Sequence, residues 1–241
     1  MAGDEADALI AEQIDFYRAD SAGYDRFLTS MLDPTNEAGA DYRRILDWLG
    51  AFFSEAAPLG RVLEIGAGNG IVAERVAPFA HQLDLLDSSP ESLAQAADRL
   101  SRFAKRVRCI ERDVFTLDTP ADRYDLVYFT AFLHHVPLAR FDGFWNLLER
   151  LVAEGGWVLF DFPPEPTDPH PEELPASPSQ EYRIYRARDG VSIRDLGGRR
   201  WRVTHVCWEP SDLATRLFAL GWELQIERED HWHVASARRR P

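Results

Sequence analysis

Residues 62–71 read Val-Leu-Glu-Ile-Gly-Ala-Gly-Asn-Gly-Ile, an apolar strand that runs directly into a glycine-rich turn. The run Val-Ala-Glu-Arg-Val at 72–76 then has the composition of a helix. Glycine adopts backbone dihedrals that a Cβ would forbid, so the chain can pass close beneath a ligand. The first turn of the following helix presents free N–H groups at the same place. The stretch therefore predicts a site for a nucleotide-like cofactor.

The spacing of the glycines distinguishes which class of cofactor such a turn binds. A dinucleotide site has the pattern G-x-G-x-x-G, in which the third glycine packs the helix against the sheet. Here the third glycine, Gly70, comes one residue early, and Ile71 stands in its place. Glu64, two residues before the first glycine, would repel a pyrophosphate and would favour a cationic or amine-bearing ligand. A nicotinamide-dependent oxidoreductase is the alternative from another class, and Glu64 and Ile71 disfavour it.

More strand-like segments follow in order. Residues 82–87 end on Asp87, roughly 20 residues after the glycines, where an open α/β sheet places its ribose-binding carboxylate. Ser-Ser-Pro-Glu at 88–91 then reads as the beginning of a helix. The later strand-like segments are 107–114, 124–130 and 155–160. Their order and crossover spacing predict an α/β sheet whose strands alternate with helices.

Together these segments resemble the class I S-adenosylmethionine-dependent methyltransferases of the small-molecule type, whose first motif is an acid, one residue and then G-x-G-x-G. The resemblance implies a doubly wound, Rossmann-like α/β fold with a seven-stranded, mostly parallel sheet. It also implies methyl transfer from S-adenosylmethionine, with S-adenosylhomocysteine as product. That cofactor carries a sulfonium and an amino acid tail rather than phosphates, which agrees with the charge of Glu64.

The resemblance also assigns roles within the cofactor site. It implies that Asp87 grips both ribose hydroxyls and that Asp113 accepts a hydrogen bond from the adenine amino group. The loop after Thr130 would lie under the methyl donor. The candidate cofactor-binding residues are Tyr17, Tyr24, Glu64, Gly66, Ala67, Gly68, Asn69, Gly70, Asp87, Ser88, Asp113, Val114 and Thr130.

The segments before the first strand have the spacing of amphipathic helices. Apolar residues recur at helical intervals in residues 4–30 and 40–55. In small-molecule methyltransferases of this class such helices fold over the cofactor as a lid, and residues 12–19 resemble the lid of a group found in actinobacteria. We expect Tyr17 or Tyr24 to contact the cofactor. The alternative is that both only pack the helix.

The composition of the chain changes after the fifth strand, where proline becomes frequent. The proline-rich residues 162–171 predict an exposed loop as far as Gln180, because proline fixes φ and lacks a donor. Antiparallel strands are expected next, over the carboxyl ends of the sheet strands, where open α/β folds bind ligands. Their predicted bounds are 182–188, 191–196 and 199–208, with turns at Asp189-Gly190 and Gly197-Gly198.

The last segment predicts a helix and a strand pair. The helix is expected over 210–220, capped by Ser211 and followed by Gly221, and the strands over 222–228 and 232–237. No repeat or second domain is indicated. The predicted single methyltransferase domain, 1–241, thus consists of an N-terminal helical lid (1–57), a cofactor-binding core (58–162), a proline-rich loop with a β insertion (163–208) and a C-terminal helix and strand pair (209–241).

The candidate catalytic residues are His134 and His135, in the loop after the fourth strand and beside the expected methyl group. Methyl transfer from a sulfonium is an in-line displacement in which positioning supplies much of the rate. An oxygen acceptor usually also needs a base whose pKa lies near the working pH, which favours histidine. The alternative is that Leu-His-His-Val, 133–136, only packs near the cofactor. Other candidate bases are Asp161, His205, His231 and His233.

No metal is predicted at this site. Some relatives hold a catechol with magnesium, and Asp161 with a neighbouring acid would imitate that arrangement. His231 and His233 would share one face of a strand, but a third ligand is not close in sequence. Residues 129–132 read Phe-Thr-Ala-Phe rather than the Asn/Asp-Pro-Pro-Tyr that the family uses for planar amines and amides, so methylation of nucleic acid bases or glutamine is disfavoured.

We expect the acceptor to be a small organic molecule, methylated on oxygen or nitrogen, between the N-terminal helices, the histidine loop and the inserted strands. Aromatic residues there would suit an apolar or ring-bearing acceptor, although each could equally belong to the core: Phe132, Trp145, Tyr182, Tyr185, Trp201 and Trp208. A second hypothesis keeps the fold and the bound cofactor but assigns a structural role or a non-methylating reaction.

Composition and charge bear on the other classes of function. The 241 residues are 45% hydrophobic and carry a net charge of −13, so the surface would on balance repel a nucleic acid. No apolar run approaches the ~20 residues that cross a membrane, and the acidic N-terminus lacks the features of a signal peptide; both predict a cytoplasmic protein. Cys109 and Cys207, in strand-like runs, are expected to be buried hydrophobic residues rather than a disulfide. The sequence leaves monomer and homodimer open.

Overall fold

A computed structural model describes residues 2–118, 123–163, 173–174, 183–186, 190–228 and 232–240, with side chains for all of these except 2, 173–174 and 183–186. In chain order the helices and strands are α1 (Ala2–Leu32), α2 (Ala40–Glu55), β1 (Leu59–Ile65), α3 (Ala73–Val76), β2 (Ala80–Asp87), α4 (Pro90–Arg99), β3 (Val107–Glu111), β4 (Tyr124–Phe129), α5 (Phe141–Leu151), β5 (Val152–Phe162), β6 (Glu173–Leu174), β7 (Arg183–Arg186), β8 (Val191–Leu196), β9 (Arg199–Thr204), α6 (Pro210–Ala219), β10 (Trp222–Arg228) and β11 (His233–Arg239).

The main sheet has seven strands in the order β10-β11-β5-β4-β1-β2-β3. The strands from β3 to β5 pair in parallel, whereas β11 is antiparallel to both β5 and β10. The strand order reverses between β1 and β4, so a crevice opens at their carboxyl ends, where sheets of this kind bind ligands. The predicted α/β fold, doubly wound around a mostly parallel seven-stranded sheet, is confirmed.

Apolar layers cover both faces of this sheet. In β4, Leu126 and Tyr128 join the layer formed with α2, α3 and α4, whereas Val127 and Phe129 join the layer formed with α5 and α6. This alternation follows from the period of two along a strand. Trp145 and Trp208 are buried in the second layer, so these two rings belong to the core and not to an acceptor site.

The ends of two helices test the predicted caps. Ser89 Oγ accepts a hydrogen bond from Ser92 N (3.1 Å) at the start of α4, as predicted. Helix α6 instead begins at Pro210 with Glu209 at the cap position, so the predicted cap at Ser211 was wrong. Proline is favoured in the first helical turn because it has no N–H left to satisfy there, which moves the boundary one residue earlier.

The segment after β5 forms a second, antiparallel sheet in the order β6-β7-β8-β9. The bounds of β8 agree with the prediction, but β9 ends at Thr204 rather than at residue 208. The short strand β6 falls within the stretch predicted as a loop. The rest of that loop before Gln180, together with Tyr182, lies outside the described residues, as does the side chain of Tyr185.

Both cysteines are free thiols, but their predicted burial was wrong. Cys109 is exposed because β3 is the edge strand of the main sheet and its outer positions lack cover. Cys207 is partly exposed and lies beyond the end of β9 rather than in a strand.

A buried carboxylate ties the amino-terminal halves of the strands together. Asp84, in the middle of β2, is fully buried and accepts hydrogen bonds from Arg108 (2.6 Å) and from the Tyr124 hydroxyl (2.9 Å). Arg61 of β1 lies 3.5 Å from the same carboxylate. A charge at this depth is tolerated only when it is paired, so these contacts fix β2 against β1, β3 and β4.

Candidate active site

The turn after β1 has the backbone that its glycines predict. Gly66, Gly68 and Gly70 all have positive φ, at 68°, 53° and 76°. Gly66 N donates to Leu86 O (2.8 Å), which holds the turn against the end of β2. A Cβ on Gly70 would lie 3.0 Å from the Cβ of Ala96 in α4, so this glycine allows close helix packing rather than ligand contact.

Asp87, at the end of β2, faces the glycine turn. Its Oδ2 accepts from Gly68 N (2.8 Å) and its Oδ1 from Ser89 N (2.8 Å). Burial raises the pKa of this carboxyl, and the hydrogen bonds from the backbone partly offset that rise. The carboxylate therefore links the turn to the start of α4 at the edge of the crevice.

A first cavity of about 130 Å³, here called the groove, runs along the carboxyl ends of β1, β2, β3 and β4 beneath α1. It brings together most of the predicted site residues: Tyr17, Tyr24, Gly66, Gly68, Asp87, Ser88, Asp113, Val114, Thr130 and His135. Asp113 caps the short turn Val114–Thr116, where its Oδ1 accepts from Phe115 N (3.0 Å). The groove thus brings two carboxylates and apolar side chains together at one edge of the sheet.

A second cavity of about 380 Å³ lies between α1, α2 and the glycine turn, and we call it the α1–α2 cavity. It contains three further predicted residues, Glu64, Ala67 and Asn69. Tyr24, Gly66, Gly68, Thr130 and Ala131 line both cavities. The two spaces therefore adjoin at the glycine turn. Of the predicted residues, Gly70 and His134 line neither cavity.

Glu64 lies at the wall of the α1–α2 cavity, 2% exposed. Burial raises the pKa of its carboxyl to about 8. The neighbouring Tyr128 hydroxyl partly offsets that rise. A buried carboxyl at a cavity wall suits a ligand that brings a positive charge or an N–H donor.

The two histidines lie in the turn Leu133–His135, and both are buried. His135 Nδ1 is 2.7 Å from Thr204 O, and Nε2 is 2.6 Å from the Tyr17 hydroxyl. A carbonyl oxygen only accepts, so Nδ1 carries the proton and Nε2 accepts from Tyr17. Arg194 Nη1 in turn donates to the Tyr17 hydroxyl (2.9 Å). His135 is therefore held by polar partners on both sides of its ring.

His134 lies behind this network. Its ring is 3.8 Å from that of His135 and 5.2 Å from those of His205 and Trp232, centroid to centroid. Burial lowers the pKa of His134 and of His135 well below the ordinary value, so both rings are neutral at physiological pH. The lowered pKa makes each ring a weaker base than an exposed imidazole.

Helix α1 is fastened over the groove by polar contacts that the sequence did not predict. The buried Gln13 donates to His135 O (3.2 Å) and accepts from Thr204 N (3.0 Å). Glu12 accepts from both the backbone and the guanidinium of Arg202 at 2.7 and 2.8 Å. No short motif marks these residues, because their partners lie at the other end of the chain.

No helix in the described part of the chain is long and apolar enough to cross a membrane. Among the described residues, no three metal-ligating side chains are grouped as a metal ion would need; His231 lies outside those residues.

Comparisons with known proteins agree with the fold and the groove described above. A family model described as "Methyltransferase domain" matches residues 62–156. The structure of DhpI with S-adenosylhomocysteine superposes with a TM-score of 0.71 at 27% identity, over 97% of this chain and 98% of that one. Residues 62–156 are thus a methyltransferase domain, and the chain has the fold of an S-adenosylmethionine-dependent methyltransferase. A second structure, of DhpI with S-adenosylmethionine and HEP, has the same TM-score and identity.

Curated relatives match about half of this chain. The ubiquinone biosynthesis O-methyltransferase of Burkholderia ambifaria is 32% identical over 119 residues, which is 48% of either chain. The malonyl-[acyl-carrier protein] O-methyltransferase 2 of Ilyobacter polytropus is 27% identical over 120 residues, 49% of this chain and 45% of that protein. The matched segment spans about half the length of these relatives. The comparisons identify S-adenosylmethionine as the cofactor and set aside the nicotinamide alternative.

The pKa of Glu64 predicts how this methyltransferase binds its cofactor as pH changes. At a pH below about 8 the empty site keeps Glu64 protonated, whereas a sulfonium and an ammonium favour its ionised form. We expect the affinity for S-adenosylmethionine to rise several-fold between about pH 6 and pH 9, with release of a proton on binding. Calorimetry in buffers of different ionisation enthalpy measures that proton directly.

Glu64→Gln provides the control for this pH dependence, since the amide keeps the shape and does not titrate. A pH slope that persists in the variant would contradict the role of Glu64. The stability of the empty protein should show the opposite trend. The pKa of Glu64 in the folded protein, about 8, lies above its ordinary value of 4.5, so stability falls as the pH rises from about 4.5 through about 8.

Proposed function

We propose that the protein transfers a methyl group from S-adenosylmethionine to an oxygen or nitrogen atom of a small organic acceptor. The observation that carries this proposal is the groove itself, in which the glycine turn, Asp87 and Asp113 face one another under α1. The likeness to DhpI over nearly the whole chain supports it, since that protein was solved with the methyl donor and a third component, HEP.

The residues of the groove fit the parts of the cofactor. Asp87 would accept hydrogen bonds from the ribose hydroxyls and Asp113 from the adenine amino group, with Val114 as an apolar wall. Glu64 would face the positively charged end. Bound here, S-adenosylmethionine supplies an electrophilic methyl group on a sulfonium. The protein's own contribution is to orient donor and acceptor in line and to keep water out of the groove.

We assign the catalytic role of the histidine pair to His135, because its ring lines the groove whereas that of His134 does not. His135 Nε2 accepts from Tyr17 in the closed groove, so it becomes a base only for an acceptor hydroxyl that takes the place of Tyr17. Tyr17 and Tyr24 both line the groove from α1, which supports a contact of either with the cofactor.

We expect His135→Gln to lower kcat/KM by about tenfold or more, since it removes the acceptor of the Tyr17 hydroxyl and any base at this position. His134→Gln should have a smaller effect, and His81→Gln, on the exposed part of β2, should have none. Steady-state kinetics on the three variants gives the ranking. An effect of His134→Gln equal to that of His135→Gln would contradict the assignment.

Calorimetric titration with S-adenosylmethionine, S-adenosylhomocysteine and NADH tests the cofactor, and release of S-adenosylhomocysteine in the presence of small acceptors tests the transfer. We expect micromolar binding of both adenosyl ligands and no signal with NADH. Binding of NADH alone would refute the proposal. Binding of both adenosyl ligands with no turnover of any small acceptor would refute the transfer but keep the cofactor.

We further propose that the protein works in the cytoplasm on a free small molecule rather than on a nucleic acid, as a monomer or a homodimer. The net charge of −13 supports the choice against nucleic acid, because binding a polyanion draws on many basic side chains. Sedimentation of the purified protein distinguishes the two oligomeric states.

A further inference from the structure

The α1–α2 cavity is larger than the cofactor's amino acid tail requires. In the proposed binding mode the adenosine lies in the neighbouring groove at Asp87 and Asp113, and the amino acid tail would extend to Glu64 and the glycine turn. Beyond that point the cavity continues between apolar side chains of α1 and α2: Phe27, Leu28, Met31, Ile45, Leu46 and Leu49. A volume of about 380 Å³ falls within the size range of sites for small molecules.

Two buried carboxyls line this cavity. They are Glu64 and Asp161, and no arginine, lysine or histidine is present among the described lining residues; a third lining acid, Asp41, is paired with Arg44. Burial raises the pKa of Glu64 and of Asp161, so a cationic ligand, which favours their ionised forms, suits this cavity better than an anionic one. The apolar walls favour a ligand whose remaining part is a hydrocarbon chain or an aromatic ring.

Asp161 marks the point where this cavity meets the groove. It lies near the end of β5, 8% exposed, and its Oδ1 accepts from Ala131 N (2.6 Å). Thr130 and Ala131 line both cavities, so Asp161 adjoins the junction between donor and acceptor spaces. Ala131 has φ 50°, a left-handed conformation that is unfavourable for alanine and is held here by the contact with Asp161.

We propose that the acceptor is a primary or secondary amine with an apolar body, that it binds in the α1–α2 cavity, and that Asp161 receives its proton. This inference rests on the proposed function and narrows it to a substrate class. The ammonium group gives a proton to the Asp161 carboxylate, and the freed lone pair attacks the methyl carbon. The N–C bond forms as the C–S bond breaks, the electron pair of that bond stays on sulfur, and the proton later passes from Asp161 to solvent.

The surroundings of Asp161 suit this role. Burial raises the pKa of its carboxyl to about 7, so it can both accept and release a proton near neutral pH. The ionisable side chains that share the cavity with it are Asp41, Tyr42 and Glu64. An amine acceptor also leaves the hydrogen bond between Tyr17 and His135 intact, in which case His135 positions α1 over the groove instead of acting as a base.

The test compares Asp161→Asn with Glu154→Gln, a change of an exposed acid on the same strand. Each protein, and the parent, is titrated with S-adenosylmethionine and then assayed for release of S-adenosylhomocysteine. The acceptor panel pairs amines with alcohols and acids of the same body, for example benzylamine, N-methylbenzylamine, benzyl alcohol and phenylacetate. Binding of the same amines to the complex with S-adenosylhomocysteine is measured by calorimetry.

We expect amines alone to bind and to be methylated, with kcat/KM at least about 100-fold lower in Asp161→Asn and unchanged in Glu154→Gln. Ile45→Trp, which fills the apolar end, should raise KM for the amine and leave cofactor binding unchanged. Turnover of the alcohols or acids but not of the amines, absence of amine binding at millimolar concentration, or equal activity of Asp161→Asn and the parent would overturn the inference. Failure of the parent to bind S-adenosylmethionine would instead refute the proposed function.

Discussion

Asp87→Ala should weaken the binding of S-adenosylmethionine by about 100-fold or more. The carboxylate accepts from Gly68 N and Ser89 N, and in the proposed binding mode it would also accept from both ribose hydroxyls. A hydrogen bond to a charged group contributes about 1.5–3 kcal/mol, so the loss of two such contacts to the ribose alone exceeds a factor of about 100. Titration calorimetry with S-adenosylhomocysteine measures the effect without turnover.

Two further variants separate this effect from a loss of folding. Asp98→Ala removes an exposed carboxylate from α4 and should leave the affinity unchanged. Asp87→Asn keeps the shape of the side chain and should lie between the parent and Asp87→Ala. The interpretation fails if Asp87→Ala binds the cofactor within about threefold of the parent while its thermal unfolding is unaltered.

Gly66→Ala should abolish measurable cofactor binding and destabilise the protein by about 2–5 kcal/mol. The left-handed backbone at φ 68° costs alanine about 1–2 kcal/mol, and its Cβ would lie 2.5 Å from Phe132 Cδ2, an overlap that costs about 1–3 kcal/mol more. The added methyl group and the displaced ring of Phe132 would both lie in the groove. Chemical denaturation and calorimetry measure the two effects separately.

Gly50→Ala is the matched control for this substitution. Gly50 lies in α2, and a Cβ there meets nothing within 4 Å. Alanine is the better helix former by about 1 kcal/mol, so this variant should be slightly more stable than the parent and bind the cofactor equally well. If Gly66→Ala and Gly50→Ala gave the same stability, backbone strain at the glycine turn would have to be rejected as the reason for glycine there.

The parts of the fold that local sequence determines were the ones that it predicted. The glycine turn, Asp87 at the end of β2 and the cap at Ser89 depend on residues within a few positions of one another, so their pattern is visible in the chain. The first residue of a helix was harder to predict. Ser211 as a cap and Pro210 as a first helical residue both fit the start of α6, and the helix begins at Pro210.

Features built from distant residues were missed. Gln13 and Thr204 meet beside His135, but an isolated glutamine in an amphipathic helix carries no signal of that contact. The burial of Asp84 depends on cations from two other strands, and the exposure of Cys109 depends on β3 being an edge strand. The α1–α2 cavity is likewise a space between helices, which periodicity within either helix cannot reveal.

The contacts between α1 and β9 also determine the order in which the parts of the site can form during synthesis on the ribosome. Glu12 and Gln13 find their partners 190 and 191 positions later, in β9. At about 5–20 residues per second, roughly 10–40 s pass between the synthesis of these residues and that of their partners. During this interval α1 can already contact the turn after β4, through Gln13 and His135, but Glu12 and Gln13 still lack their partners in β9. In a nascent chain the attachment of α1 over the groove is therefore completed only once the second sheet has been made.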